Sequence, residues 1–177
     1  MKILKTTLPK NSILTIDQKK YDYVDSFEGI YTDKDNNISS DIVGKAFFTS
    51  APTWVSNLLE LRNKIVGIFG LKTSGQANNR ATLLKNFKCE PNERLGLFKV
   101  FDRTENEVVL GEDDKHLNFR VSLLKSKIIG TNQNKLTITT TVEFKNWYGK
   151  LYFLPVKPFH SFIVPTMLKG IIRALEK

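Results

Sequence analysis

Arg62, His160, Asp114 and His116 stand where the surrounding pattern asks for other residue types. Residues 53–70 (TWVSNLLELRNKIVGIFG) carry apolar side chains at helical spacing. At about 100° per residue, Trp54, Leu58, Leu61, Ile65, Ile68 and Phe69 share one broad face, which Val55, Leu59 and Val66 extend. Arg62 falls near the middle of that face, between Phe69 and Val55. A guanidinium does not give up its proton. If buried it needs an anion, either an internal carboxylate or a bound ligand.

His160 poses the same question near the C-terminus. In residues 158–177 (PFHSFIVPTMLKGIIRALEK), His160, Ile163, Val164, Met167, Leu168, Ile171, Ala174 and Leu175 fall on one helical side. An imidazole there is either a satisfied core residue or a group that binds a ligand and moves protons. Asp114 and His116 close an acidic turn, GEDDKH (111–116), ahead of a strand opening at Leu117. They share a side with Asn118 and Arg120, or form the first inward pair if a bulge shifts the register. An Asp of this turn is a candidate anion for Arg62, while Glu112 and Asp113 read as solvated turn residues.

Other chemistries lack their patterns. Two His forty-four positions apart (160 − 116) plus an Asp do not match a three- or four-ligand zinc site. The run DKDNN (33–37) lacks the glycine and distal Glu of a calcium loop and reads as a turn. There is no G-x-S-x-G, and Cys89 has no neighbouring His. Neither a metal nor a cofactor is expected.

The elements that must position these residues follow from periodicity. Residues 21–32 (YDYVDSFEGIYT) alternate and predict a first strand. Ser39-Ser40-Asp41 caps a helix from Ile42 through Phe48, and Pro52 or Thr53 opens a second helix that stops at Gly67–Gly70. Residues 72–94 are the least patterned and read as a long connection with one short element around the apolar run Leu83–Phe87. From Leu95 the period becomes two, with strand-like runs at 95–102, 107–110, 117–126, 135–145 and 150–155. Leu117, Phe119, Val121 and Leu123 alternate with Asn118, Arg120 and Ser122, which predicts an antiparallel meander with one buried and one wet face. The last helix lies across this sheet, with a kink or a late start at Pro165.

At 177 residues, 41% apolar and 25% charged, the chain fits one α+β domain over residues 1–177 with a sizeable core. No run approaches the roughly 18 apolar residues of a membrane span. The opening MKILKTTLPKNS does not read as a secretory signal, and one cysteine forms no internal disulfide, so a cytoplasmic location is expected. The charge of +9 (27 − 18) is carried mainly by 21 scattered Lys, without the Arg and aromatic interleaving of a nucleic-acid surface. No nucleic acid and no membrane insertion are expected.

The strand, helix pair, meander and terminal helix resemble the helix-grip fold of the START-like (SRPBCC) superfamily. Several phrases look closer to one bacterial domain-of-unknown-function family placed near it: Asp22-Tyr23-Val24-Asp25-Ser26, Leu61-Arg62-Asn63-Lys64-Ile65-Val66, Leu110-Gly111-Glu112-Asp113-Asp114-Lys115-His116-Leu117, Thr139-Thr140-Thr141-Val142, and Tyr152-Phe153 leading to Pro158-Phe159-His160. The resemblance implies a curved sheet wrapped around a long C-terminal helix, enclosing a hydrophobic cavity. Relatives of this kind occur alone or joined to a nucleotide-binding oxidoreductase domain; this chain has no GxGxxG after a strand. The expected function is binding of a small, largely apolar molecule, lipid-like or polyketide-like. Arg62, Asp114, His116 and His160 would be its polar contacts, with Trp54, Phe69, Phe119 and Met167 lining the space. The alternatives are a cyclase-, isomerase- or hydrolase-like enzyme using His160 or Asp114 as acid or base, and a non-catalytic module serving a separate oxidoreductase or a membrane surface. The wide apolar arc of the last helix is also compatible with a homodimer.

Overall fold

The computed structural model describes residues 1–35, 37–55 and 80–177. Among these, seven antiparallel strands form one curved sheet: β1 (Ile3–Thr6), β2 (Tyr23–Thr32), β3 (Arg94–Leu95), β4 (Phe98–Arg103), β5 (Glu107–Asp113), β6 (Leu117–Lys127) and β7 (Gln133–Phe144). The helices are α1 (Ser40–Thr49), α2 (Arg80–Asn86) and α3 (Trp147–Leu175). The strand order β1-β2-β7-β6-β5-β4-β3 makes β3 to β7 a meander, closed by β2 against β7. This α+β arrangement, with its long terminal helix, is compatible with a helix grip.

Alternation decides which side chains meet the helices. Register pairs Phe27 with Ile138, Thr140 with Val121, and Val121 with Leu110, so these residues share the inner face. Val43, Phe47 and Phe48 of α1 cover it, together with Val164, Met167, Leu168, Ile171 and Ile172 of α3, in one continuous core. The helix seats closely: a Cβ on Gly29 would lie 2.7 Å from both Ile172 Cδ1 of the helix and Ile3 Cδ1 of β1, so a larger residue there would have to turn these side-chain ends aside.

Two expectations need correction. Residues 150–155 are not a sixth strand but part of α3, which runs 29 residues from Trp147. An apolar run of that length reads equally as strand or buried helix. Asn146 decides the outcome by capping the helix, its Oδ1 accepting from Gly149 N at 3.2 Å. Pro155 and Pro158 lie inside the helix on its exposed side, where the carbonyls they leave without donors can meet water. The second correction concerns the outer sheet face, which is not simply wet. Ser26, Thr137, Thr139, Thr141, Ser122 and Glu107 are all buried there. The segment between β1 and β2 crosses this face through 3-10 turns at Ile13–Lys20 and buries Leu14. It is pinned by the Glu107 carboxyl, which accepts from Ser12 Oγ at 2.6 Å, from Ile13 N at 2.8 Å and from Ser122 Oγ. β1 itself is a short edge strand that periodicity did not reveal.

Thr53–Val55 are helical, as expected of the second helix, and the rest of that segment lies outside the described residues. The short element in the 72–94 connection is α2, followed by the fully buried Cys89. Burial pushes the Cys89 thiol up to about 12. An acid whose pKa is raised by folding keeps the native state at full stability below its ordinary value of 9.0 and subtracts from it between 9.0 and about 12. The folded chain at neutral pH should therefore resist thiol reagents that label it fully in denaturant, and its urea midpoint should fall on the alkaline side. Rapid labelling of the native chain would contradict this.

Candidate functional site

The inner face is largely apolar, with polar groups gathered at one seam and, apart from it, at Tyr31 and Glu112. Leu117, Val142 and Phe153 form a second hydrophobic cluster with Tyr23, Phe144, Tyr152 and Val156, beneath the N-terminal half of α3. At the edge of this cluster, Tyr23 meets Asp25 and His160, with Thr140 opposite Asp25 on β7. Asp25 falls in phase with Tyr23, Phe27 and Tyr31 along β2, so its side chain points inward with theirs. His160 reaches it from α3: Nδ1 donates to Asp25 Oδ2 at 3.0 Å. Tyr23 OH donates to the same oxygen at 2.7 Å, and its ring meets the imidazole edge-on at 6.1 Å between centroids. Burial, the Asp25 hydrogen bond and the Asp25 charge all raise the Tyr23 pKa, so the phenol remains the donor.

A carboxylate only accepts, so the proton of a neutral His160 lies on Nδ1 and Nε2 carries the lone pair. Among the described residues, Nε2 has no hydrogen bond, while the side chain is 15% exposed and that of Asp25 is 5% exposed. Asp25 Oδ1 and Thr140 Oγ1 are buried without hydrogen-bond partners among the described residues. They belong to directly paired positions of β2 and β7. A buried oxygen without a partner forfeits about 1–3 kcal/mol, and here two such oxygens lie on paired residues.

The other residues singled out from the sequence lie elsewhere. His116 binds the start of α3: its Nδ1 lies 3.0 Å from Asn146 Nδ2 and 3.2 Å from Asn146 Oδ1, and its ring tilts over Tyr148 at 5.6 Å. Asn146 and His160 are separated by about 20 Å of helix, so the two imidazoles do not share a site. Asp114 is buried in the β5–β6 turn, where its N donates to Leu117 O at 3.1 Å. Met167 is a core residue, and Phe119 is partly buried against both clusters, its ring edge-on to Phe98 at 5.8 Å. Phe98 in turn meets Phe47 and Phe48, and Phe48 meets Phe87, giving a chain of edge-to-face rings beside the seam's strand neighbours. Trp54 is exposed. Arg62 and Phe69 lie outside the described residues.

Glu112 is not the solvated turn residue expected, because β5 continues to Asp113 and turns Glu112 inward, where it is buried and paired with Arg94. Asp113 is half exposed and pairs with Arg120 at 2.8 Å, whose guanidinium also covers the Phe101 ring at 3.5 Å. The sequence did carry a signal for Asp25: it is a carboxylate in the apolar phase of an alternating strand.

The family model described as "Protein of unknown function (DUF2867)" matches residues 18–167. No curated protein and no solved structure matches the chain.

Proposed function

The chain belongs to this DUF2867 family of unknown function, and from that premise we propose that it binds a small, largely apolar molecule between the inner sheet face and α3, in the manner of a START-like helix-grip domain. The ligand would enter where the two hydrophobic clusters meet, with its apolar body against their side chains. The reading rests on one observation: Asp25 Oδ1 and Thr140 Oγ1, on directly paired residues of the inner face, are both buried without hydrogen-bond partners among the described residues. A hydroxyl or amide on a ligand would supply the missing partner to both.

Native mass spectrometry of the chain purified without denaturation tests this, with Thr140→Val as the control. The substitution keeps the shape and removes the hydroxyl, so stability should change by no more than about 1 kcal/mol. Wild type should carry an organic-extractable mass that the variant retains poorly. Equally bare spectra for both, from cells and after incubation with a lipid extract, would remove the proposal.

The Asp25–His160 pair favours a second reading, general acid–base catalysis at His160 Nε2. In this arrangement Asp25 holds the tautomer that leaves a basic nitrogen available. That nitrogen must be reachable in the folded state, so diethyl pyrocarbonate should modify His160 in the native chain. If only His116 reacts, the catalytic reading fails.

A further inference from the structure

The N-terminal half of α3 buries Gly149 and Phe153 on one side and presents a different surface on the other. Trp147, Tyr148, Leu151, Leu154, Phe159 and Phe162 are 54–72% exposed. At about 100° per residue they fall, with Pro155 and Pro158, on one continuous outward arc. Lys150 and Lys157, seven positions apart, line one edge of it. Single exposed apolar residues are ordinary, but six along four helical turns make an interaction surface.

Charge decides what covers it. Residues 144–175 contain Lys145, Lys150, Lys157, Lys169 and Arg173 and no carboxylate, in a chain of net charge +9. A second copy docked face to face would set these cations against their own kind. An anionic lipid surface would neutralise them and accept the rings and leucines among its acyl chains. The exposed pair Trp147 and Tyr148, stacked at 4.0 Å, is of the type that settles at the headgroup level. The outward prolines fix the depth. The carbonyls of Leu151 and Leu154, which Pro155 and Pro158 cannot satisfy, need water and forbid deep burial in hydrocarbon. Among the described residues no helix is long and apolar enough to cross a membrane.

We propose that this face of α3 is an interfacial docking surface for anionic lipid membranes, on which the helix lies parallel to the bilayer plane. The test is flotation of the full chain with phosphatidylcholine vesicles, with and without phosphatidylserine. Wild type should float with the anionic vesicles and much less with the neutral ones, and added salt should weaken its binding. Leu154→Ser with Phe162→Ser should reduce binding by about tenfold or more, as should Lys150→Glu with Lys157→Glu, and circular dichroism should show both double variants folded. Three results would overturn the proposal: no flotation of wild type with anionic vesicles, equal flotation of the variants, or a lipid-free wild-type dimer that the Ser variant converts to monomer. The last would assign the face to a second copy.

Discussion

Leu168→Ala should lower stability by about 3–4 kcal/mol, whereas Phe162→Ala on the same helix should change it by less than about 0.5 kcal/mol. Leu168 is fully buried and belongs to the core that joins α3 to the sheet and α1. Truncation removes its transfer free energy and leaves a void whose walls come from three elements, which cannot collapse without moving the helix. Phe162 is the larger side chain, but it is 72% exposed and has little native packing to lose. Urea unfolding followed by circular dichroism separates the two, and the Leu168 variant should melt about 10 °C lower. If both substitutions cost the same, the exposed arc of α3 is packed against something in solution, and its availability for lipid goes with that result.

The outcome of the sequence reading divides along physical lines. Strands of the meander were legible because their alternation is set by one face meeting α1 and α3; Leu117 to Leu123 and Leu136 to Val142 follow it residue by residue. α1 was legible from the Ser39-Ser40-Asp41 start signal, although it begins at Ser40, two residues early, and the Ser39 hydroxyl donates to Asp41 rather than accepting from the helix. Where two periodicities coincide, the reading failed: the run from Lys150 to Pro155 has the composition of a strand, and only Asn146 marks it as helix. The covered outer face was not legible at all. Ser26, Thr137 and Thr139 look like solvent residues, and nothing in their own alternation reveals that the β1–β2 connection lies over that side of the sheet. Of the candidate site, His160 was visible as a polar residue on an apolar face. Its partner Asp25 was equally visible in principle, in phase with Tyr23 and Phe27, but it took the β2–α3 contact to join them. His116 was a sound anomaly with a different explanation, since its task is to hold the cap of α3.

Glu107→Ala should be among the most damaging polar substitutions in the chain, costing about 3–5 kcal/mol, with Glu107→Gln costing about 1–2 kcal/mol. Glu107 is 1% exposed, and among the described residues no cation pairs with it. Its two oxygens are satisfied instead by two hydroxyls and the Ile13 amide. Alanine would leave Ser12, Ser122 and the Ile13 N–H facing a dry void, and each stranded donor carries its own desolvation cost. Glutamine keeps the size and one accepting oxygen. That oxygen can serve the Ile13 N–H while the amide donates to the serine hydroxyls, which also accept. Charge-assisted bonding is lost and the two serine hydroxyl protons lose their acceptor, but every heavy atom keeps a partner, a smaller penalty than the void left by alanine. The damage should also be directional. Hydrogen exchange should accelerate first in the β1–β2 connection, whose hold on the outer face is Glu107, while the amides of β6 and β7 remain protected until global unfolding. Uniform acceleration across the sheet, or an alanine variant no weaker than the glutamine one, would show that this carboxyl is not what fastens the segment.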